Sequence, residues 1–100
     1  MVGGTLIMIY RNDNIIEKDD YVKGTIKDLK EYFRYKIASL CMSAKDYDYE
    51  EFRYNLKNIM ELLDNLYEDT ENEIYSDNDI VFVKRTPMDD FMILNENEVE

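Results

Sequence analysis

The chain has no histidine, no tryptophan, one cysteine, one proline and three glycines among its 100 residues. Without histidine it lacks the commonest general base and the commonest metal ligand of proteins. A single cysteine then excludes zinc sites of the usual composition, and the serines have no imidazole to activate them. Three glycines cannot form a phosphate-binding loop or a dinucleotide fingerprint. We therefore expect no cofactor and no enzymatic activity, and a site made only of carboxylates is the one catalytic alternative left.

Cys41 has no partner for an internal disulfide. Its neighbours Leu40 and Met42 are apolar, so we expect a small buried side chain and not a reactive thiol. A reducing, cytoplasmic compartment fits this cysteine usage. The short apolar run at the N-terminus has no preceding basic residue and is not a signal peptide. No stretch approaches the roughly 20 apolar residues of a membrane span, so we predict a cytoplasmic protein without a membrane partner.

Carboxylates are abundant, and calcium or magnesium would be the metals to expect from them. Acidic residues alternate in the segments 46–50 and 69–73. Neither segment has the glycine at the sixth position or the glutamate at the twelfth that an EF-hand loop needs. We interpret both as solvated acidic surface and predict no metal site.

The N-terminal part predicts two short strands within one domain that spans residues 1–100. Residues 6–10 form a continuous apolar run, and residues 11–14 are typical of a turn. Residues 15–16 are apolar again. We predict a strand at 6–10, a tight turn, and a short second strand at 15–16.

Helix one is predicted to begin between Asp19 and Thr25 and to end near residues 43–45. Thr25 and Asp28 have the spacing of a capping box, with aspartate in place of Glu or Gln. Gly24 argues against an earlier start, because glycine inside a helix costs about 1 kcal/mol. The apolar residues recur at helical spacing: Ile26, Leu29, Phe33, Ile37, Leu40, Cys41 and Ala44.

Helix two is predicted to follow a short polar link, with Asp48 as its N-cap. Glu50 and Glu51 favour the first turn through the helix dipole. Its apolar stripe extends over about five turns: Phe52, Leu56, Ile59, Met60, Leu63, Leu66 and Tyr67. Two long helices with so short a link should pack antiparallel as a helical hairpin.

The C-terminal part predicts the remaining strands. Residues 74–75 indicate a brief strand, and residues 80–83 are the strongest strand signal of the chain. Residues 86–90 form a turn in which Pro87 ends the strand. Residues 91–94 return as a last strand, and residues 95–100 are a frayed acidic tail. The order β-β-α-α-β-β predicts an α+β fold, an antiparallel two-helix hairpin packed on a small antiparallel sheet.

Charge is divided unequally along the chain. Residues 1–45 carry eight Lys and Arg against six Asp and Glu, whereas residues 46–100 carry four against seventeen, and the net charge is −11. A surface with so much negative charge repels anions and attracts cations over about a Debye length. Direct binding of nucleic acid or of anionic membranes is therefore disfavoured.

Two charged stripes indicate pairing within the hairpin. Helix one has basic residues on one face: Lys23, Lys27, Lys30 and Arg34. Helix two has acidic residues on one face: Glu61, Asp64, Glu68 and Glu71. We expect Lys23 to lie near Glu68, and Lys27 and Lys30 to lie near Asp64 and Glu61. Exposed pairs of this kind contribute only about 0–1 kcal/mol each.

The remaining acid predicts a binding surface for a basic protein. It forms two clusters at opposite ends of helix two, roughly 30 Å apart, and the first is interleaved with Tyr47 and Tyr49. Regular carboxylates on a rigid helix can imitate phosphates and contact a groove that binds nucleic acid. The predicted partner-binding residues are Asp46, Asp48, Glu50, Glu51, Glu68, Asp69, Glu71 and Glu73.

The favoured function is thus a small acidic inhibitor of a basic, nucleic-acid-binding protein. Phage-borne inhibitors of host defence nucleases, antitoxins and nuclease immunity proteins are of this size and charge. The alternative is a structural module without catalytic activity, whose exposed tyrosine and methionine side chains pair two copies as a homodimer. Acidity that serves only solubility, or reflects an AT-rich coding sequence, is a third explanation of the same composition.

Overall fold

Two long helices pack on a four-stranded antiparallel sheet. The computed structural model describes residues 12–46, 48–85 and 91–95. The elements are β1 (Ile16–Glu17), β2 (Tyr21–Thr25), α1 (Ile26–Met42), a 3₁₀ turn (Ala44–Asp46), α2 (Tyr49–Glu71), β3 (Ile80–Arg85) and β4 (Phe91–Leu94). The predicted α+β class, the helical hairpin on a sheet and the order β-β-α-α-β-β are confirmed.

The centre of the sheet joins the strand that precedes the helical hairpin to the strand that follows it. Its strand order is β1-β2-β3-β4, and every neighbouring pair is antiparallel. The central pair, β2 and β3, runs from Tyr21 opposite Lys84 to Thr25 opposite Ile80. Successive side chains of a strand point to opposite faces, so Val81 and Val83 are buried under the helices. Ile80, Phe82 and Lys84, which alternate with them, face away from the helices.

The predicted start of helix one, between Asp19 and Thr25, is correct only at its C-terminal limit, where Thr25 is the N-cap. Residues 21–25 form β2, and α1 begins only at Ile26. The four-residue spacing of Lys23 and Lys27 resembled a helix, but pairing with β3 determines the strand. Gly24 is buried at this point, where an added Cβ would lie 2.7 Å from Cδ1 of Ile15. A glycine in this strand therefore permits the close approach of the neighbouring core side chains.

The remaining strand predictions have different outcomes. The predicted strand at 80–83 is β3, extended to Arg85, and the one at 91–94 is β4. The predicted second strand at 15–16 corresponds to β1, shifted by one residue. Residues 74–75 are not a strand, because they belong to the turns after α2. The predicted strand at 6–10 and turn at 86–90, Tyr47, and residues 96–100 of the predicted tail lie outside the described residues.

The core lies between α1, α2 and the inner face of the sheet. Its buried members are Ile26, Leu29, Tyr32, Phe33, Leu62, Leu66, Val81 and Val83. Tyr32 and Leu62 were not in the predicted stripes. Conversely, Met60 and Tyr67 are 49% and 41% exposed, and Cys41 is exposed although we expected it to be buried. The helices bury narrower faces than the apolar pattern implies, because each packs on the sheet along one side only.

The N-terminus of α1 is held by the loop that precedes β3. The backbone N–H of Ile26 donates to the carbonyl of Asp79 at 2.9 Å, and that of Lys27 donates to the carbonyl of Asp77 at 3.0 Å. The N–H of Asp28 donates to Oγ1 of Thr25 at 3.1 Å, which confirms the predicted cap. These groups have no partner within the helix itself. The helix start is therefore fixed to the C-terminal half of the chain.

Asp48 occupies the N-cap position of α2 but its side chain makes no capping hydrogen bond. We therefore predict that Thr25→Ala lowers the free energy of unfolding by about 1 kcal/mol, whereas Asp48→Ala changes it by a few tenths. Urea unfolding followed by circular dichroism measures both. Equal losses in the two variants would contradict the assignment of the caps.

Candidate protein-binding surface

The first predicted acidic cluster lies where the 3₁₀ turn meets α2. Asp46 ends the 3₁₀ turn, Asp48 is the N-cap, and Glu50 and Glu51 lie in the first turn of α2. All four are exposed. Carboxylates at this end of a helix are stabilised by the helix dipole, by about 0.3–1 kcal/mol each. Helix stability alone therefore explains much of this cluster.

The charge of this cluster does not continue along α2. Arg53 and Lys57 follow Glu50 at intervals of three and four residues, which places the three side chains on one outer face. Both basic residues are exposed. The N-terminal half of α2 thus has a mixed surface, and the two predicted clusters do not form one acidic surface along the whole helix.

The second predicted cluster has the opposite relation to the helix dipole. Glu68, Asp69 and Glu71 lie in the last turn of α2, which contains no basic residue. Carboxylates there are repelled by the partial negative charge of the helix C-terminus, and this repulsion destabilises the helix. Asp69 is half-buried, and the other two are exposed. Helix stability does not explain this cluster, so it is the stronger candidate for a binding function.

Glu73 lies just beyond the helix, in the left-handed backbone conformation with φ 61°. The N–H of Ile74 donates to the carbonyl of Asp69 at 2.9 Å, and the N–H of Glu73 donates to that of Thr70 at 3.1 Å. This pattern is a Schellman motif, in which the left-handed position is usually glycine. The turn directs the chain away from α2 and toward β3.

The predicted pairing of the two charged stripes is wrong. Nζ of Lys30 lies 2.9 Å from Oδ1 of Asp77, and 4.6 Å from the ring centroid of Tyr67. Nζ of Lys23, which belongs to β2, lies 5.2 Å from the ring centroid of Phe82. Within residues 12–46, 48–85 and 91–95, Lys30–Asp77 is the only ion pair closer than 4 Å. The carboxylates of α2 are therefore not neutralised by α1.

The C-terminal half of α2 consequently carries a continuous acidic surface, which we call the acidic stripe. It consists of Glu61, Asp64, Glu68 and Glu71, and all four are exposed. Their spacing of three, four and three residues places them on one face, over about 15 Å of helix. Two of them, Glu61 and Asp64, are not among the predicted site residues. Their regular spacing was the signal, but it was assigned to pairing within the hairpin.

Two apolar side chains lie beside the acidic stripe. Met60 and Tyr67 are separated by seven residues, so they lie on one line of α2, next to Asp64 and Glu71. Both are exposed to nearly half of their surface. The Lys30 ammonium contacts the ring of Tyr67 and limits its freedom. Tyrosine and methionine are enriched at protein interfaces, so this edge favours a protein partner over a small cation.

Two further findings concern the described part of the chain. Neither helix combines the length and the apolar character that a bilayer crossing requires. Among these residues, no three carboxylate or thiol groups converge in a way that suits a metal ion.

Comparison of the chain with protein-family models, with curated protein sequences and with solved structures gives no match.

We predict that Glu73→Gly raises the free energy of unfolding by about 0.5–1 kcal/mol, because glycine adopts the left-handed conformation without steric cost. Glu71→Gln, which also removes one carboxylate, is the matched control for charge. Urea unfolding measures the two variants. A stabilisation that is no larger in Glu73→Gly than in Glu71→Gln would contradict the backbone explanation.

Proposed function

We propose that this protein is a small acidic binding protein that covers a basic surface of a partner protein and thereby keeps nucleic acid from it. The acidic stripe is the observation that supports this proposal. It is a set of exposed carboxylates without an internal ion pair among the described residues, and two of them, Glu68 and Glu71, lie in the last turn of α2, where carboxylates destabilise the helix. An arrangement that lowers helix stability is not needed for solubility, which acid elsewhere on the surface would supply equally well.

The geometry of the acidic stripe supports a surface that normally binds phosphates. Its carboxylates recur about every 5 Å along the helix axis, compared with about 3.4 Å per charge along one strand of duplex DNA. Lys and Arg side chains are long enough to accommodate this difference. Met60 and Tyr67 would add apolar contacts that phosphates do not offer. The partner would therefore bind this protein in preference to nucleic acid.

The proposed contact surface is shorter than the one that was predicted from the sequence. Contact over the C-terminal half of α2 is sufficient, with Glu73 and Asp69 at its edge. Asp46, Asp48, Glu50 and Glu51 would contribute mainly long-range attraction, which speeds encounter more than it strengthens the complex. A phage anti-defence protein, an antitoxin or a nuclease immunity protein would each use such a surface, and the identity of the partner distinguishes these roles.

The test compares two variants with equal charge. The stripe variant combines Glu61→Gln, Asp64→Asn, Glu68→Gln and Glu71→Gln. The control variant combines Asp46→Asn, Asp48→Asn, Glu50→Gln and Glu51→Gln. Each protein is immobilised and exposed to a lysate of its source cells at low and high salt, and the captured proteins are identified. We expect a basic protein that the wild type retains at low salt, that high salt elutes, and that the stripe variant loses.

The affinities of the variants for the captured protein then show whether binding depends on the acidic stripe or only on the net charge. We expect the stripe variant to bind at least about 100-fold more weakly, since several charge-assisted contacts are lost, and the control variant to lose less than about tenfold. The wild type should also release nucleic acid from the captured protein. Equal losses in both variants, or a partner set that does not change with salt, would contradict the proposal. Circular dichroism confirms that both variants keep their helices.

A further inference from the structure

The outer face of the sheet, which the helices do not cover, is a second surface of distinct chemistry. Pairing across the strands places its apolar side chains together: Ile16, Tyr21, Ile80, Phe82, Met92 and Leu94. Ile16, Ile80 and Met92 are 44–46% exposed. The rings of Tyr21 and Phe82 meet edge to face, with centroids 5.2 Å apart. We call this surface the open sheet face.

The polar positions of the open sheet face carry no negative charge. They are Lys23, Lys84 and Thr25. None of the described register positions on this face is a carboxylate, although the chain contains 23 Asp and Glu. The acidic stripe lies in the helical layer, on the other side of the molecule. The protein therefore has one strongly acidic side and one apolar, weakly basic side.

We infer that the open sheet face binds a second copy of this chain, sheet against sheet. With a net charge of −11, two copies repel each other in most orientations. Sheet-to-sheet packing keeps the two acidic stripes apart, because each lies on the helical layer that covers the opposite face of its sheet. It also removes the exposed apolar side chains of this face from water. Aligned sheets about 10 Å apart allow the side chains of the two faces to interdigitate.

Charge along β3 complements itself under two-fold symmetry. β3 begins at Ile80, next to Asp79, and its last outward-facing residue is Lys84. Asp79 and Lys84 are both exposed; Oδ2 of Asp79 accepts a hydrogen bond from the N–H of Ser76 at 2.8 Å, and its other carboxylate oxygen would face the partner. A two-fold axis near Phe82 places Lys84 of one copy over the Ile80 end of the other, close to its Asp79. In an isologous interface the Lys84–Asp79 contact occurs twice. The same axis brings Lys23, the cross-strand partner of Phe82, close to Lys23 of the other copy, and this like-charge contact weakens the dimer.

The size of the open sheet face sets the strength of this dimer. It presents far fewer residues than the 20–30 per partner of a standard interface. We therefore expect a reversible dimer with a Kd on the order of 10 µM to 1 mM. The interface does not involve the acidic stripe, so the dimer would present two of them, and its formation does not depend on the proposed function.

Sedimentation equilibrium of the full chain over a range of concentrations tests the inference. The expected mass rises from 12.1 kDa toward twice that value, and the association persists at high salt, unlike capture of a basic partner. Ile80→Lys places a lysine against Lys84 of the other copy and should raise the dimer Kd at least about tenfold. Ile74→Lys is the matched control, since Ile74 is 62% exposed and lies outside this face.

A charge exchange makes the test specific for the two-fold arrangement. Lys84→Glu combined with Ile80→Lys recreates complementary charges across the axis, and we expect it to restore most of the lost association. A monomer at every concentration up to about 1 mM, equal effects of Ile80→Lys and Ile74→Lys, or no recovery in the double variant would each overturn the inference. Circular dichroism shows that each variant keeps the native fold.

Discussion

The junction between β2 and α1 is the constraint on which the rest of the structure depends. The strand passes into the helix without a loop, at Thr25 and Ile26. The first N–H groups of α1 then have no helical acceptor, and the carbonyls of Asp77 and Asp79 supply one. The same loop leads into β3, which pairs with β2. Helix, loop and central strands therefore determine one another, and the helical hairpin can cover only the inner face of the sheet.

This junction also determines where the charges lie. Lys30 is in the second turn of α1, so its ammonium reaches Asp77 in the loop and the ring of Tyr67. It is therefore not available to Glu61 or Asp64. The acidic stripe stays exposed on the helical layer, and the outer face of the sheet stays apolar and free of carboxylates at its described positions. The separation of these two surfaces is a consequence of how the layers are joined.

The sequence was sufficient where structure depends on neighbouring residues. The Thr25 cap, the strand at 80–83 and the periodicity of both helices follow from local patterns, and from them the α+β architecture. The sequence was insufficient where a contact between residues far apart in the chain determines the structure. β2 was assigned to a helix because its pairing with β3, almost 60 residues later, is not visible locally. Lys30 was paired with the wrong acids because Asp77 is 47 residues away. The acidic end of α2 was predicted as a site, but Glu61 and Asp64 could be added only once Lys30 was placed.

The central claim is that the acidic stripe is not neutralised within the protein, and its effect on stability tests this most directly. Urea unfolding of the wild type and of the stripe variant is measured at about 10 mM and about 0.5 M NaCl. Gln and Asn resemble Glu and Asp in helix propensity, so the comparison reports mainly on charge. We predict that the stripe variant is more stable at low salt, by about 1 kcal/mol, because repulsion between like charges and with the helix C-terminus is removed. The difference should decrease at high salt. A stripe variant that is less stable than the wild type at low salt would show that these carboxylates form favourable internal pairs, and would contradict the account.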